Sequence, residues 1–197
     1  ARQALGLQDD LPVLLVFGGS SGARSINQAV WAVLPQLLEE MQIVHVTGKL
    51  DWSESGKQLA EIQNKLPAEL KARYHVHAYL HEDMGAAFTA AHLVVARAGA
   101  FTLGEFPAFG LPAILVPYPH AWRYQQVNAE YLAKANAAKI LADADLKEKL
   151  LPMVLDLMAD HAQLNQMRDQ MRLLAKPDAA RSIGKALFEL SAGKGRA

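Results

Sequence analysis

The sequence predicts an α/β protein: a doubly wound, Rossmann-like parallel sheet with helices on both faces. Three observations carry that expectation. Short uncharged runs such as VLLVF at 13–17, LVVA at 93–96 and AILVP at 113–117 lie close to Gly or Pro, the mark of strands buried on both faces. Segments of helical periodicity separate them, so strands alternate with helices about six times along the chain. Two of the strand-to-helix turns carry glycine, GGSSGA at 18–23 and RAGAFT at 97–102. Open α/β sheets bind nucleotides at such carboxyl ends of strands.

The elements follow in order. After the strand at 13–17, residues 25–40 read as one helix through Ile26, Val30, Val33, Leu34 and Leu37. A strand at 43–46 leads to a polar loop through Gly48 and Gly56, then a helical stretch to about Leu66. Residues 74–79 alternate as a strand, with Tyr74, Val76 and Ala78 on one face and His75, His77 and Tyr79 on the other. A helix at 82–91 precedes the strands at 93–96 and 113–117, and a helix at 127–134 precedes a last short strand at 138–141. Residues 145–150 form a short segment, with Pro152 in the first turn of the next helix, where a missing N–H costs little. Residues 178–190 make a final amphipathic helix with Ile183, Leu187 and Leu190 on one stripe, and the GKGRA tail is expected to fray.

Composition limits the function classes. Twenty basic and twenty acidic residues give a net charge of zero, so no basic field argues for nucleic acid. With 51% apolar and 20% charged residues the chain is of globular type. The absence of cysteine removes disulfides and thiolate metal sites and fits a reducing, cytoplasmic setting. No apolar run approaches the roughly 18 residues that span a bilayer. The start, ARQALGLQDD, lacks an initiator Met and a signal core and reads as a chain entered partway along. One domain over 1–197 is expected, with no repeat or linker.

Four stretches bear chemistry. Gly18-Gly19-Ser20-Ser21-Gly22-Ala23 offers backbone N–H groups and a helix start to an anion. A tight turn with Ser20 or Ser21 as a helix cap is the equal alternative. Its spacing is neither GxGxxG nor a Walker A loop. The turn through Gly99, Ala100, Phe101 and Thr102 is a second helix start, and two such starts in one sheet suit a pyrophosphate held without metal. Glu105 lies three residues after Thr102, so spacing alone favours a capping box over contact with a ribose diol. The loop Pro117-Tyr118-Pro119-His120 leads through Trp122 and Tyr124 to Gln125 and Gln126, amides suited to sugar hydroxyls or to an ordinary helix start. His75 and His77 lack a third ligand nearby, and Asp143-Ala144-Asp145 reads as a cap for the following helix before a metal-binding DxD.

GGSSGA–R–x–x–N at 18–27, RAGAFTLGE at 97–105, GLPAILVPYPH at 110–120 and QxxNA at 125–129 together resemble the MurG family, the family 28 UDP-N-acetylglucosamine transferases of peptidoglycan synthesis. The match runs in order through nearly the whole chain and corresponds to the family's C-terminal half. The resemblance implies a GT-B fold whose donor half binds UDP-GlcNAc, with no cofactor and no metal strictly required. It implies that Gly19, Ser20, Ser21 and Gly22 close on the donor, and that Gly99, Ala100, Phe101 and Thr102 meet the diphosphate. Glu105 would take the ribose, Gln125 with Gln126 the sugar, and the backbone around Leu80 the uracil. It further implies inverting transfer of GlcNAc to an undecaprenyl-linked lipid acceptor, lipid I, giving lipid II. The acceptor site and general base would lie in an N-terminal half absent from this chain, and the enzyme would be peripheral on the cytoplasmic membrane face. Ser21 stands where the family usually has Gln, and Tyr124 where it often has a polar residue or His. The rivals are another GT-B UDP-sugar transferase, a UDP-GlcNAc epimerase, and a non-catalytic UDP-GlcNAc-binding subunit that needs a partner chain.

Overall fold

Six strands, β1 (Val13–Phe17), β2 (Gln42–Val46), β3 (Tyr74–His77), β4 (Leu93–Ala96), β5 (Ala113–Leu115) and β6 (Ala138–Ile140), pair in parallel in the order β3-β2-β1-β4-β5-β6. The computed structural model describes residues 1–120 and 124–193, so Trp122 and most of the tail lie outside the described residues. Strand alternation splits the core into two layers. Leu14, Val16, Ile43, Val95 and Ile114 face one, and Val13, Leu15, Val44, Val94 and Leu115 face the other. The first layer is covered by α1 (Arg24–Ala32), α2 (Leu34–Glu40), α3 (Lys49–Lys65), α4 (Ala68–Lys71) and α8 (Leu146–Ala159). The second is covered by α5 (Met84–Ala90), α6 (Thr102–Phe109) and α7 (Tyr124–Lys134), and α9 (His161–Leu173) reaches both. The expected doubly wound sheet is the observed one.

Several boundaries differ from the sequence reading. The helix expected over 25–40 is two, α1 and α2, parted at Val33 because Pro35 in the first turn of α2 has no N–H to continue the ladder. The loop expected through Gly56 is helical from Lys49. Gly48 makes the turn, and a buried Asp51 in the first turn anchors the start. Pro152 sits inside α8 rather than opening a helix. A proline there costs about 3 kcal/mol, but Leu146, Leu150, Val154, Leu157 and Met158 are buried across it, each contributing about 1.5–3 kcal/mol. Burial wins, and Pro152 faces solvent. The strand expected to 79 ends at His77, leaving Tyr79 and Leu80 in the loop beyond. The last helix, α10 (Ala179–Gly193), exposes Ile183, Leu187, Phe188 and Leu190, an apolar stripe with nothing of this chain against it among the described residues.

A buried polar chain crosses the first layer. The Trp31 Nε1–H donates to the Tyr74 hydroxyl at 3.0 Å, and that hydroxyl lies 2.9 Å from His45 Nδ1. His45 Nε2 lies 2.9 Å from the Asn27 carbonyl oxygen, whose amide donates to Thr47 O and to Asp51. The donors fix the protons: Tyr74 gives its hydrogen to Nδ1, and Nε2–H donates to Asn27. His45 is therefore neutral, and burial lowers its pKa from 6.5 to about 3.

That depression makes stability pH-dependent. The unfolded chain binds a proton near 6.5 that the folded His45 refuses down to about 3, so its contribution is complete above the unfolded value. It is lost as pH falls through that window, by up to about 1.4 kcal/mol per pH unit. Burial lowers His75, His77 and His92 too, with the same sign. Urea melts at pH 7, 6 and 5 are expected to show falling midpoints, with a shallower slope in His45→Gln.

Candidate functional site

In a parallel sheet every strand-to-helix turn emerges at the carboxyl edge. Here α1 leaves β1 toward one layer and α6 leaves β4 toward the other. The strand order reverses between these two neighbours, which opens a crevice above them. The glycine loop 18–23 crosses that crevice and leaves a cleft on each side.

The smaller cleft, about 280 Å³, is lined by Phe17, Gly19, Ser20, Val46, Tyr79, Leu80, Met84, Phe101 and Glu105. Phe17 packs on Phe88 and Phe106 with ring centroids 5.9 and 6.0 Å away, giving it a rigid apolar floor. Glu105 stands in the wall. The expected capping box is absent: the Thr102 hydroxyl turns back to Gly99 O at 2.6 Å, and the helix cap, Phe101, makes no side-chain bond. No described group bonds the Glu105 carboxylate, and partial burial raises its pKa. It keeps its acceptor capacity for something else. Ser20 and Ser21 are likewise not caps, since Ala23 is the cap of α1 and makes no side-chain bond.

The larger cleft, about 590 Å³, is lined by Ser21, Gly22, Arg24, Ser25, Asp51, Arg97, Tyr118, His120, Gln125 and Asp143, among others. The Gln125 Oε1 accepts the Tyr118 N–H at 2.9 Å, which leaves its NH₂ as the group offered to a ligand. Gln126 points elsewhere, donating to Glu130 at 2.8 Å one turn on. At the start of α6 the Thr102 N–H is already bonded to Gly99 O at 3.1 Å. Gly99, Ala100 and Phe101 donate no backbone hydrogen bond among the described residues, so their N–H groups are the ones open to an anion.

The loop that divides the clefts is set by backbone contact. Gly22 and Gly48 both have positive φ, +93° and +86°, and a Cβ on Gly22 would lie 2.3 Å from Thr47 O. Neither position admits a side chain.

Several residues that tie the elements around the clefts together were not legible as such. Arg97, a single charge ending an apolar strand, donates to Asp143 and to the Ser25 hydroxyl at 2.8 Å, and Ser25 in turn donates to Asp143 at 2.8 Å. It also donates to Val116 O at 3.2 Å and lies 5.1 Å from the centroid of the Tyr118 ring. One guanidinium thus ties the ends of β4 and β5, the first turn of α1 and the loop after β6. Asp143 is not the helix cap expected of it. It is the counter-charge for Arg97. Asn128 donates to Ala98 O at 2.9 Å and locks α7 to the β4 turn. The signal for Arg97 was available in principle: a charge has no place at the end of a buried strand without a partner.

The profile of the glycosyltransferase family 28 C-terminal domain matches residues 13–183. The chain belongs to this family. A UDP-N-acetylglucosamine–N-acetylmuramyl-(pentapeptide) pyrophosphoryl-undecaprenol N-acetylglucosamine transferase of Roseiflexus is 42% identical, over 96% of this chain and 46% of that protein. A counterpart from Chlorobium phaeobacteroides is 39% identical over 97% and 50%. The crystal structure of Acinetobacter baumannii MurG superposes with a TM-score of 0.76 at 28% identity, covering 92% of this chain and 51% of that one. A UDP-GlcNAc 2-epimerase from Neisseria meningitidis bound to UDP-GlcNAc reaches a TM-score of 0.67 at 12% identity, a likeness of fold alone. This family 28 chain spans about half the length of the curated relatives it matches.

Breaking the Arg97–Asp143 pair leaves a guanidinium only 10% exposed without its carboxylate. Asp143→Ala is expected to cost about 2–3 kcal/mol in urea unfolding, short of the ~3–5 kcal/mol of fully buried pairs because Asp143 is partly solvated. Pairing it with Arg97→Met is expected to recover part of that loss.

Proposed function

We propose that this chain is the donor-binding half of an inverting glycosyltransferase that transfers GlcNAc from UDP-GlcNAc to an undecaprenyl-linked acceptor, converting lipid I to lipid II in peptidoglycan synthesis. The observation that carries the reading is the pair of clefts on either side of the glycine loop. The smaller has an apolar floor with an unpartnered carboxylate, suited to a nucleoside. The larger is polar and carries an amide donor, suited to a sugar. The open N–H groups of Gly99, Ala100 and Phe101 and the start of α6 would hold the diphosphate between them.

In this reading uracil sits by Leu80, Glu105 accepts from both ribose hydroxyls, and the Gln125 amide donates to a GlcNAc hydroxyl. Attack of the acceptor hydroxyl at the anomeric carbon breaks its bond to the UDP oxygen and inverts configuration. The α6 start stabilises the charge that develops on departing UDP. The acceptor, the general base and the peripheral membrane contact belong to the other half, and the bare stripe of α10 supports a chain that packs against more protein. No helix among the described residues is long and apolar enough to cross a membrane.

Titration calorimetry tests the donor site. Charged hydrogen bonds contribute about 1.5–3 kcal/mol each, so Glu105→Ala is expected to weaken UDP-GlcNAc at least about tenfold without loss of fold. The carboxylate accepts both hydroxyls most strongly when ionised, so native affinity is expected to hold above its raised pKa and fall below it, while Glu105→Gln stays flat with pH. Equal affinity of native protein and Glu105→Ala would sink the ribose assignment. Tighter binding of UDP-glucose or UDP-galactose than UDP-GlcNAc would point to another sugar transferase. The chain alone is expected to transfer nothing to a lipid I analogue, and turnover would place the catalytic groups in this half.

A further inference from the structure

The buried polar chain through His45 lies directly behind the loop that divides the two clefts. Its last members reach that loop along two routes. The Asn27 amide holds the Thr47 carbonyl at 2.9 Å, and that carbonyl is the atom against which Gly22 is packed. Gly48 lies so close that a Cβ there would stand 2.2 Å from Gly22 Cα, so Thr47-Gly48 forms the backstop of the loop. The same amide holds Asp51 at 2.7 Å, and Asp51 pairs at 3.1 Å with Arg24, two residues beyond Gly22. Asn27 can hold both only in one orientation, with its carbonyl oxygen turned away from them. His45 is what meets that oxygen, 2.9 Å from its Nε2. A reversed amide would set Oδ1 against the Thr47 carbonyl and the Asp51 carboxylate, acceptor against acceptor. Asn27, His45 and Thr47 have no exposed surface, and Asp51 has 4%, so no water relieves such a mismatch.

We propose that His45 is a positioning residue for donor binding. Its neutral imidazole fixes the Asn27 amide, and through Thr47 and Asp51 it sets the glycine loop 18–23 at the height that lets its backbone meet the diphosphate and sugar. The inference rests on the donor-binding reading above. It predicts an uneven loss within the ligand: Gly19 and Ser20 of the loop also border the smaller cleft, but Glu105 and Leu80 there are held independently by α6 and by the β3–α5 connection. Loss of His45 should weaken contacts of the diphosphate and sugar far more than those of the nucleoside.

The test compares uridine, UDP and UDP-GlcNAc by NMR titration and calorimetry on native protein, His45→Leu, His45→Gln and Tyr74→Phe. His45→Leu is expected to lose about tenfold in affinity for UDP and UDP-GlcNAc, with a much smaller loss for uridine. His45→Gln places an amide donor near the position of Nε2 and is expected to restore most of the loss. Tyr74→Phe removes a bond on the far side of the imidazole and is expected to lower thermal stability while binding UDP as the native protein does. Should His45→Leu not fold, Asn27→Ala removes the next link and is expected to show the same split. A parallel loss of uridine and UDP, or UDP affinity unchanged in folded His45→Leu, would overturn the proposal. Failure of the native chain to bind UDP at all would instead overturn the donor-binding reading.

Discussion

The site depends on one topological constraint, the reversal of strand order between β1 and β4. Right-handed crossovers from a parallel sheet send successive helices to the same layer until the order turns back. Here β1 feeds α1 on one face and β4 feeds α6 on the other. The two connections diverge and cannot fill the space above the sheet. Their helix starts both border that space, so unpaired N–H groups accumulate where the backbone leaves room for a ligand. No individual side chain creates the crevice. Side chains decide only how it is divided and what each part accepts.

That division is maintained by polar groups whose burial needs complete pairing. On one side of the glycine loop the chain from Trp31 to Asp51 accounts for every donor it contains. On the other, Arg97 spreads its donors over Asp143, Ser25 and the Val116 carbonyl. Neither network is a strong source of stability, since desolvation offsets most of what each bond contributes. What they supply is a single arrangement. An apolar core of the same volume would hold α1 to the sheet equally well but would leave loops 18–23 and 117–120 free to choose among heights. Glu105 is the contrast: half-buried and left without a partner among the described residues, it would serve a ligand rather than the fold in the proposed reading.

The sheet was readable from sequence because parallel strands buried on both faces leave an uninterrupted apolar signature, as VLLVF and LVVA show. Helix boundaries were less so. Gly56 and Pro152 are local breakers whose effect is overridden by burial of Leu59 on one helix and of Leu150 and Val154 on the other, and burial is a property of the assembled layers. The site divides the same way. The glycine turns announced themselves by composition, whereas the capping pattern at Thr102 and Glu105 pointed to a bond the fold does not make. Asp143 and Arg97 are 46 residues apart and meet only because β4, β5 and β6 lie side by side. His45 sits within an apolar run as the lone polar side chain of 43–46. That placement shows it must be paired, but Asn27 and Tyr74 as the partners follow only from the stacking of α1 and β3 on β2.

Ser21 and Tyr124, the two positions at which the sequence resemblance implies a departure, are not equivalent in three dimensions. Tyr124 opens α7 at 76% exposure and lines neither cleft, so its ring does not shape the space offered to a sugar. Ser21 is in the wall of the larger cleft, on the loop that Gly22 and Gly48 hold against Thr47. A glutamine there would reach two carbons farther than serine and carry a donor and an acceptor. With serine, that space is left to the ligand or to water, and Gln125 from α7 is the neutral amide remaining in that wall. In the proposed donor-binding reading, recognition of the nucleotide would rest on backbone and on Glu105, which neither position touches. Recognition of the sugar would rest on fewer side-chain groups, and among them Gln125 is fixed by its bond to Tyr118. In the donor-binding reading, any effect of Ser21 on donor choice would arise in the larger cleft, which it lines, and leave the smaller one unchanged.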